Sequence, residues 1–164
     1  MTPRLTGLLV AASVFFVDQL TKWLIINVAM LQDRLQIVLL PILNLTWVEN
    51  RGVSLGMLSA DSHAERWLLV ALTAAIAAGV LVWLWRERVR GEAAVLGLIL
   101  GGACGNILDR SRYGYVVDFI DLHFGGFRPF LVFNVADAAI TLGVVGLLAR
   151  SLLGAGRKRE QGNA

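Results

Sequence analysis

Four stretches of the chain stay apolar for long enough to cross a bilayer, which takes about 20 residues of helix. The first covers roughly 5–30 and carries two charges in its interior, Asp18 and Lys22. The second, 67–85, carries none, and Trp67, Trp83 and Trp85 sit at its ends, where interfacial aromatics belong. The third covers about 93–108 and the fourth about 131–153. Between the first two the period changes. Leu43, Leu45 and Trp47 alternate with Asn44, Thr46 and Val48, a mostly two-residue repeat that predicts a strand. Residues 34–40 are also strand-like, and Asn50-Arg51-Gly52 reads as a turn. The connection 31–66 is therefore expected to form a small sheet at the outer membrane surface. A run of about 35 residues between spans is usually functional.

Within the third span Gly97, Gly101 and Gly105 recur at every fourth position. Small residues at that spacing let helix backbones approach closely, and packing within one chain is expected ahead of dimerisation. The first span has one other reading, a cleavable signal peptide, because Arg4 precedes an apolar run. That run continues past Asp18 and Lys22 to Met30 with no small-x-small site closing a short apolar region, which argues against it.

Composition supports the membrane reading. The 164 residues suffice for one domain, 1–164, and are 57% hydrophobic but only 16% charged, against about 25% charged in soluble domains. The net charge of +3 does not point to nucleic acid, because the basic residues flank the spans. Arg4, Arg86, Arg88, Arg90, Arg150, Arg157, Lys158 and Arg159 crowd the two tails and the loop after the second span. The two longer connections hold Arg34, Arg51, Arg66, Arg110, Arg112 and Arg128 over many more residues. The denser side is cytoplasmic, so both termini are expected inside and the sheet in the periplasm. A single cysteine, Cys104, excludes an intrachain disulfide, a CxxC redox site and a cysteine zinc cluster.

Carboxylates inside apolar spans are the candidate chemistry, since a charge there normally persists only where it faces protein or a wet cavity. Asn134, Asp137 and Thr141 share a helical face, with Asp137 about six residues into the fourth span, roughly 9 Å deep. Asn106, Asp109 and Arg110 cluster near the outer end of the third, and Asp18 and Lys22 stand four apart in the first, a pair that could also be a purely structural salt bridge. Asp118 lies in the short connection just before the fourth span. Three spans placing polar groups at one depth is hard to ascribe to packing alone. A serine triad finds no Gly-x-Ser-x-Gly, His63 and His123 lack zinc-binding spacing, and there is no P-loop. Two acids and a water remain, the arrangement in which paired carboxylates share a proton. The competing reading is a small proton-coupled transporter using Asp18 or Asp137, but the polar residues crowd toward one side of the membrane.

At these positions the chain resembles the bacterial lipoprotein signal peptidase family, signal peptidase II. The resemblance rests on Asp18-Gln19-Leu20-Thr21-Lys22, Asn50-Arg51-Gly52-Val53-Ser54, Gly101 through Arg110, Val116-Val117-Asp118-Phe119 and Phe133-Asn134-Val135-Ala136-Asp137, in family order over nearly the whole chain. It implies a four-helix inner-membrane aspartyl endopeptidase with a small periplasmic sheet, cutting prolipoproteins just before a diacylglyceryl-cysteine. It also implies no metal or cofactor, and blockage by globomycin-type cyclic peptides. Carried over, Asp118 and Asp137 match the catalytic pair. Asn50, Asn106, Arg110 and Asn134 match groups around substrate and dyad. Asp18, Lys22 and Asp109 match the supporting set, and Gly52 gives the Asn50 turn its backbone freedom.

Overall fold

In a computed structural model that describes residues 1–52 and 63–162, with side chains to residue 152, the protein is mostly helical. Its elements are α1 Pro3–Asn27, α2 Leu31–Arg34, β1 Gln36–Leu40, β2 Leu43–Asn50, α3 His63–Arg86, α4 Arg90–Tyr113, β3 Val116–Leu122 and α5 Val135–Gly162. Four helices are long and apolar enough to span a membrane, α5 over Val135–Leu152. Val53 and Ser54 of the resemblance motif lie outside the described residues, as do the side chains of Arg157, Lys158 and Arg159.

Central to the bundle is α4, packed against α1, α3 and α5. Its glycines explain why. A β-carbon on Gly97 or Gly101 would collide with the Gly7 or Ala11 carbonyl of α1, and one on Gly102 would come within 2.5 Å of the Ala136 carbonyl of α5. Packing within the chain, as expected, is what the glycine repeat serves. Leu84 of α3 and Leu96 of α4 are fully buried in the same apolar cluster. Cys104, on the same helix as these glycines, is exposed.

The strands form one antiparallel sheet in the order β1-β2-β3. The first two strands match the two-residue repeat. The third, Val116–Leu122, was not expected and turns the connection that holds Asp118 into the sheet's far edge. Leu45 and Trp47 of β2 face the helices. Both pack on the cluster of Ile25, Leu31, Val117 and Phe119, and Trp47 meets Tyr115 edge-on. This is the stronger option because α2 and the end of α1 offer apolar surface directly beneath. Short α2 is entered and left through left-handed residues, Met30 at φ 47° and Leu35 at φ 61°, which compresses the expected end of the first span at residue 30 to Asn27.

Two other span boundaries move. α4 runs on to Tyr113, where Gly114 at φ 89° donates its N–H to the Arg110 carbonyl and closes the helix. α5 begins at Val135, not at 131. The backbone of Phe133 pairs with Phe119 and Ile120 of β3, so 131–133 cannot be helical. Asn134 then caps α5, its Oδ1 accepting the Asp137 N–H at 2.9 Å. Asp137 is thus in the helix's first turn rather than 9 Å down it.

At the opposite end of the bundle Arg4 donates to the Trp85 carbonyl and Arg150 pairs with Glu92 at 3.7 Å. The N-terminus, the α3–α4 turn and the far part of α5 therefore share the end away from the sheet.

Candidate active site

Ten residues singled out in the sequence meet where α1, α4 and α5 abut the sheet. Asp118 sits in β3 and is buried. Its Oδ1 accepts the Asn134 amide at 2.6 Å and its Oδ2 accepts the Asn50 amide at 2.9 Å. Asp137, half-buried in the first turn of α5, accepts the Asn106 amide at 2.8 Å. Asn134 also donates to Asn106 Oδ1 at 3.3 Å. Because the helix N–H fixes Asn134 Oδ1 as an acceptor, its NH₂ must face Asp118 and Asn106. Two carboxylates on different elements are thus linked through two asparagine side chains.

Asn50 stands at the end of β2, opposite Val116, and not in the turn itself. Its Oδ1 accepts the Gly52 N–H at 3.0 Å, and Gly52 takes φ 99°, a conformation that a β-carbon would strain. This turn aims the Asn50 amide at Asp118. Arg110, half-buried on α4, lies within electrostatic reach of Asp137, Asp118 and Asp109. Its Nε is buried and without a hydrogen-bond partner among the described residues.

Removal from water lifts the Asp118 carboxyl from 3.8 to about 6. The Asn50 and Asn134 amides and the Lys22 charge pull it down, and the Asp137 charge pushes it up.

Beneath this pair lies a second one. Lys22 Nζ donates to Asp18 at 2.9 Å, to Asp109 at 2.8 Å and to Asn106 Oδ1 at 3.5 Å. Asp18, Lys22 and Asp109 are all buried. Gln19, part of a sequence motif but assigned no role there, donates to both Asp18 and Asp109 at 3.1 Å. Its neutrality hid it from a search for charges, although it lies three residues from Lys22 on the same face. Asp121 also escaped notice. It is buried, accepts the Thr46 hydroxyl at 3.1 Å and pairs with Arg128 at 3.5 Å, tying the loop before α5 to the sheet.

Next to Asp137 a cavity of about 580 Å³ runs along the outer face of α5. Phe130, Leu131 and Phe133 overhang it, while Ala138, Thr141 and Leu142 form its floor. Leu131 is 91% exposed and Leu142 64%, so the cavity opens sideways toward lipid. Among the described residues, no three His, Cys, Asp or Glu side chains stand close enough to hold a metal ion. Two carboxylates with neutral amide donors, in an apolar setting, can activate a water and protonate a leaving group.

The chain is similar to known proteins over nearly its whole length. A family model described as signal peptidase (SPase) II matches residues 10–153. The lipoprotein signal peptidase of Rhizorhabdus wittichii is 56% identical over 92% of this chain and 87% of its own length. That of Sphingopyxis alaskensis is 52% identical over 96% and 91%. A solved bacterial membrane enzyme, determined by the in meso method at 2.3 Å, superposes with a TM-score of 0.77 at 30% identity over 93% of this chain and 91% of that one.

Proposed function

The chain belongs to the signal peptidase II family, and from that premise we propose that Asp118 and Asp137 are the catalytic carboxylates of its aspartic peptidase chemistry. The activity is removal of signal peptides from prolipoproteins by a multi-span membrane enzyme. The observation that carries the assignment is the linkage of these two carboxylates through Asn106 and Asn134. No cation is hydrogen-bonded to either carboxylate among the described contacts.

One carboxylate, ionised, takes a proton from water as that water attacks the scissile carbonyl. The other, protonated, hydrogen-bonds the carbonyl oxygen and stabilises the charge developing there. The resulting gem-diol collapses when the amide nitrogen is protonated, and the two pieces separate. Asn50, already donating to Asp118, stands where it can hold substrate backbone beside the pair. Arg110 has a buried Nε available to a substrate carbonyl. The cut falls just before the diacylglyceryl-cysteine. Its acyl chains then lie within reach of the cavity along α5, which is apolar and open to lipid. The same groove and dyad would accept a globomycin-type cyclic peptide.

Orientation follows from charge. The end carrying Arg4, Arg86, Arg88, Arg90 and Arg150 faces the cytoplasm, which puts both termini inside and the sheet and dyad at the periplasmic surface of the inner membrane. The whole chain, 1–164, acts as one membrane-embedded domain. The transporter reading has no support in the polar core, where Asp18 is held by Lys22, Gln19 and the Ala136 N–H.

Cleavage by detergent-purified protein tests the assignment. A diacylglyceryl-modified prolipoprotein should be cut immediately before the modified cysteine, and globomycin should block the reaction. Absence of cleavage by folded wild-type protein would overturn the reading.

A further inference from the structure

Asp18 and Asp109 each hold one backbone amide, and the choice of amide is informative. Asp18 Oδ1 accepts the Ala136 N–H at 3.0 Å; Ala136 immediately precedes Asp137. Asp109 Oδ2 accepts the Val117 N–H at 3.1 Å; Val117 immediately precedes Asp118. These carboxylates are in turn bridged twice, by Lys22 Nζ and by Gln19 Nε2, each of which donates to both. Gln19 Nε2 also lies 3.4 Å from the Gly105 carbonyl. Asp18 can approach only because residue 105 is glycine, since a β-carbon there would overlap its Oδ2.

We infer that Gln19, Lys22, Asp18 and Asp109 form a yoke that sets the separation of Asp118 and Asp137 by gripping the backbone N–H of the residue before each. The two aspartates belong to different elements, a strand at the sheet edge and a helix start. Their own side chains meet through asparagines, whose amides can pivot. The yoke instead fixes backbone to backbone through two cross-members, the buried ammonium of Lys22 and the half-buried neutral amide of Gln19. A carboxylate is the right clamp, because it accepts a backbone N–H on one side while keeping lone pairs for the cross-members. These are positioning residues, none of which touches substrate in this scheme. The inference rests on the assignment of Asp118 and Asp137 as the catalytic pair.

Gln19→Leu removes one cross-member without changing charge. Small misplacements of reacting groups cost about 10²-fold in rate, so kcat should fall roughly 10- to 100-fold with KM for the diacylglyceryl substrate nearly unchanged. The pH profile of kcat should shift as well, because the coupling between the two carboxylates depends on their separation; Arg110 and Lys22 are the cations that face them and remain in place. Lys22→Arg, which can still bridge two carboxylates, should retain more activity than Lys22→Met. Folded Gln19→Leu with normal kcat and an unshifted pH profile would overturn the yoke. So would a lower melting temperature with normal turnover per folded molecule. If Gln19→Leu does not accumulate, Gly105→Ala carries the same test by crowding Asp18 while leaving every donor in place. Asp118→Asn assayed in parallel separates the two levels: if it stays active, the catalytic assignment has failed; if it is dead while Gln19→Leu is normal, only the yoke has.

Discussion

Asp18 and Asp109 form one pair of buried carboxylates, Asp118 and Asp137 another, and the donors around them differ in kind. The first pair shares an ammonium, Lys22, and a primary amide, Gln19, with two backbone N–H groups completing the set. The second receives amides from Asn50, Asn106 and Asn134. A cation offsets buried negative charge; a neutral amide orients it and offsets little. The lower pair is therefore held together by a shared cation and serves as scaffold. Around the upper pair the hydrogen-bond donors are neutral, and the Asp137 charge adds to burial in lifting the Asp118 carboxyl to about 6, the setting that the proposed acid and base require. Similar side chains a few ångströms apart thus acquire separate roles from their donors alone.

The comparison breaks first at activity. Asp118→Asn and Asp137→Asn should each remove cleavage by at least about 10²- to 10⁴-fold, the share of acid–base groups, while the inserted protein still folds. Retention of a tenth of normal activity by either variant in a single-turnover assay would release that residue from the dyad.

Stability is where the lower pair should respond. Lys22→Met leaves Asp18 and Asp109 buried without their cation, and breaking a buried pair in this way costs about 3–5 kcal/mol. Thermal melting in detergent measures it. A variant as stable as wild type would mean that Lys22 does not hold the lower pair together.

The pH dependence of stability separates the two pairs more finely. The Asp118 carboxyl rises from 3.8 to about 6 on folding, so its contribution is complete below the unfolded value and is lost as pH climbs through about 6. At 1.36 kcal/mol per unit the loss amounts to about 3 kcal/mol between pH 3.8 and 6. Asp118→Asn should flatten that part of the melting-temperature profile, leaving the variant less pH-sensitive than wild type across this window.

The smallest expected effect is at Asn50. Its amide helps keep Asp118 ionised, and one hydrogen bond to a charged group contributes about 1.5–3 kcal/mol. Asn50→Ala should raise the midpoint for Asp118 and weaken substrate turnover and globomycin binding together. Early melting with normal inhibitor affinity would reduce Asn50 to a turn residue.

How far the sequence discloses this arrangement depends on the kind of signal. Spans and the first two strands are visible because hydrophobic periodicity is local. The charged members of both pairs are visible because a carboxylate in an apolar run is rare. β3 was not, since Val116–Leu122 is a short apolar run with two acids whose partner, β2, lies some 70 residues earlier, as the Asn50–Asp118 separation of 68 shows. The start of α5 was misplaced for a related reason. Leu131, Val132 and Phe133 are as apolar as the helix that follows, and only the bridge from Phe133 to Ile120 excludes them. Gln19 carries no charge and so no warning, yet it joins both carboxylates of the lower pair. Which donors serve which acid is a property of the assembled helices, and no spacing rule within one helix contains it.

Infrared titration of the carboxyl groups tests the contrast most directly, because a protonated acid and an ionised carboxylate absorb at different frequencies. The account predicts a protonated-carboxyl band in the folded wild-type enzyme that disappears with a midpoint near pH 6, is abolished by Asp118→Asn, shifts to lower pH in Asp137→Asn, and survives Asp109→Asn. A band that persists in Asp118→Asn and vanishes with Asp109→Asn would place the titrating proton in the lower pair and contradict the division of roles.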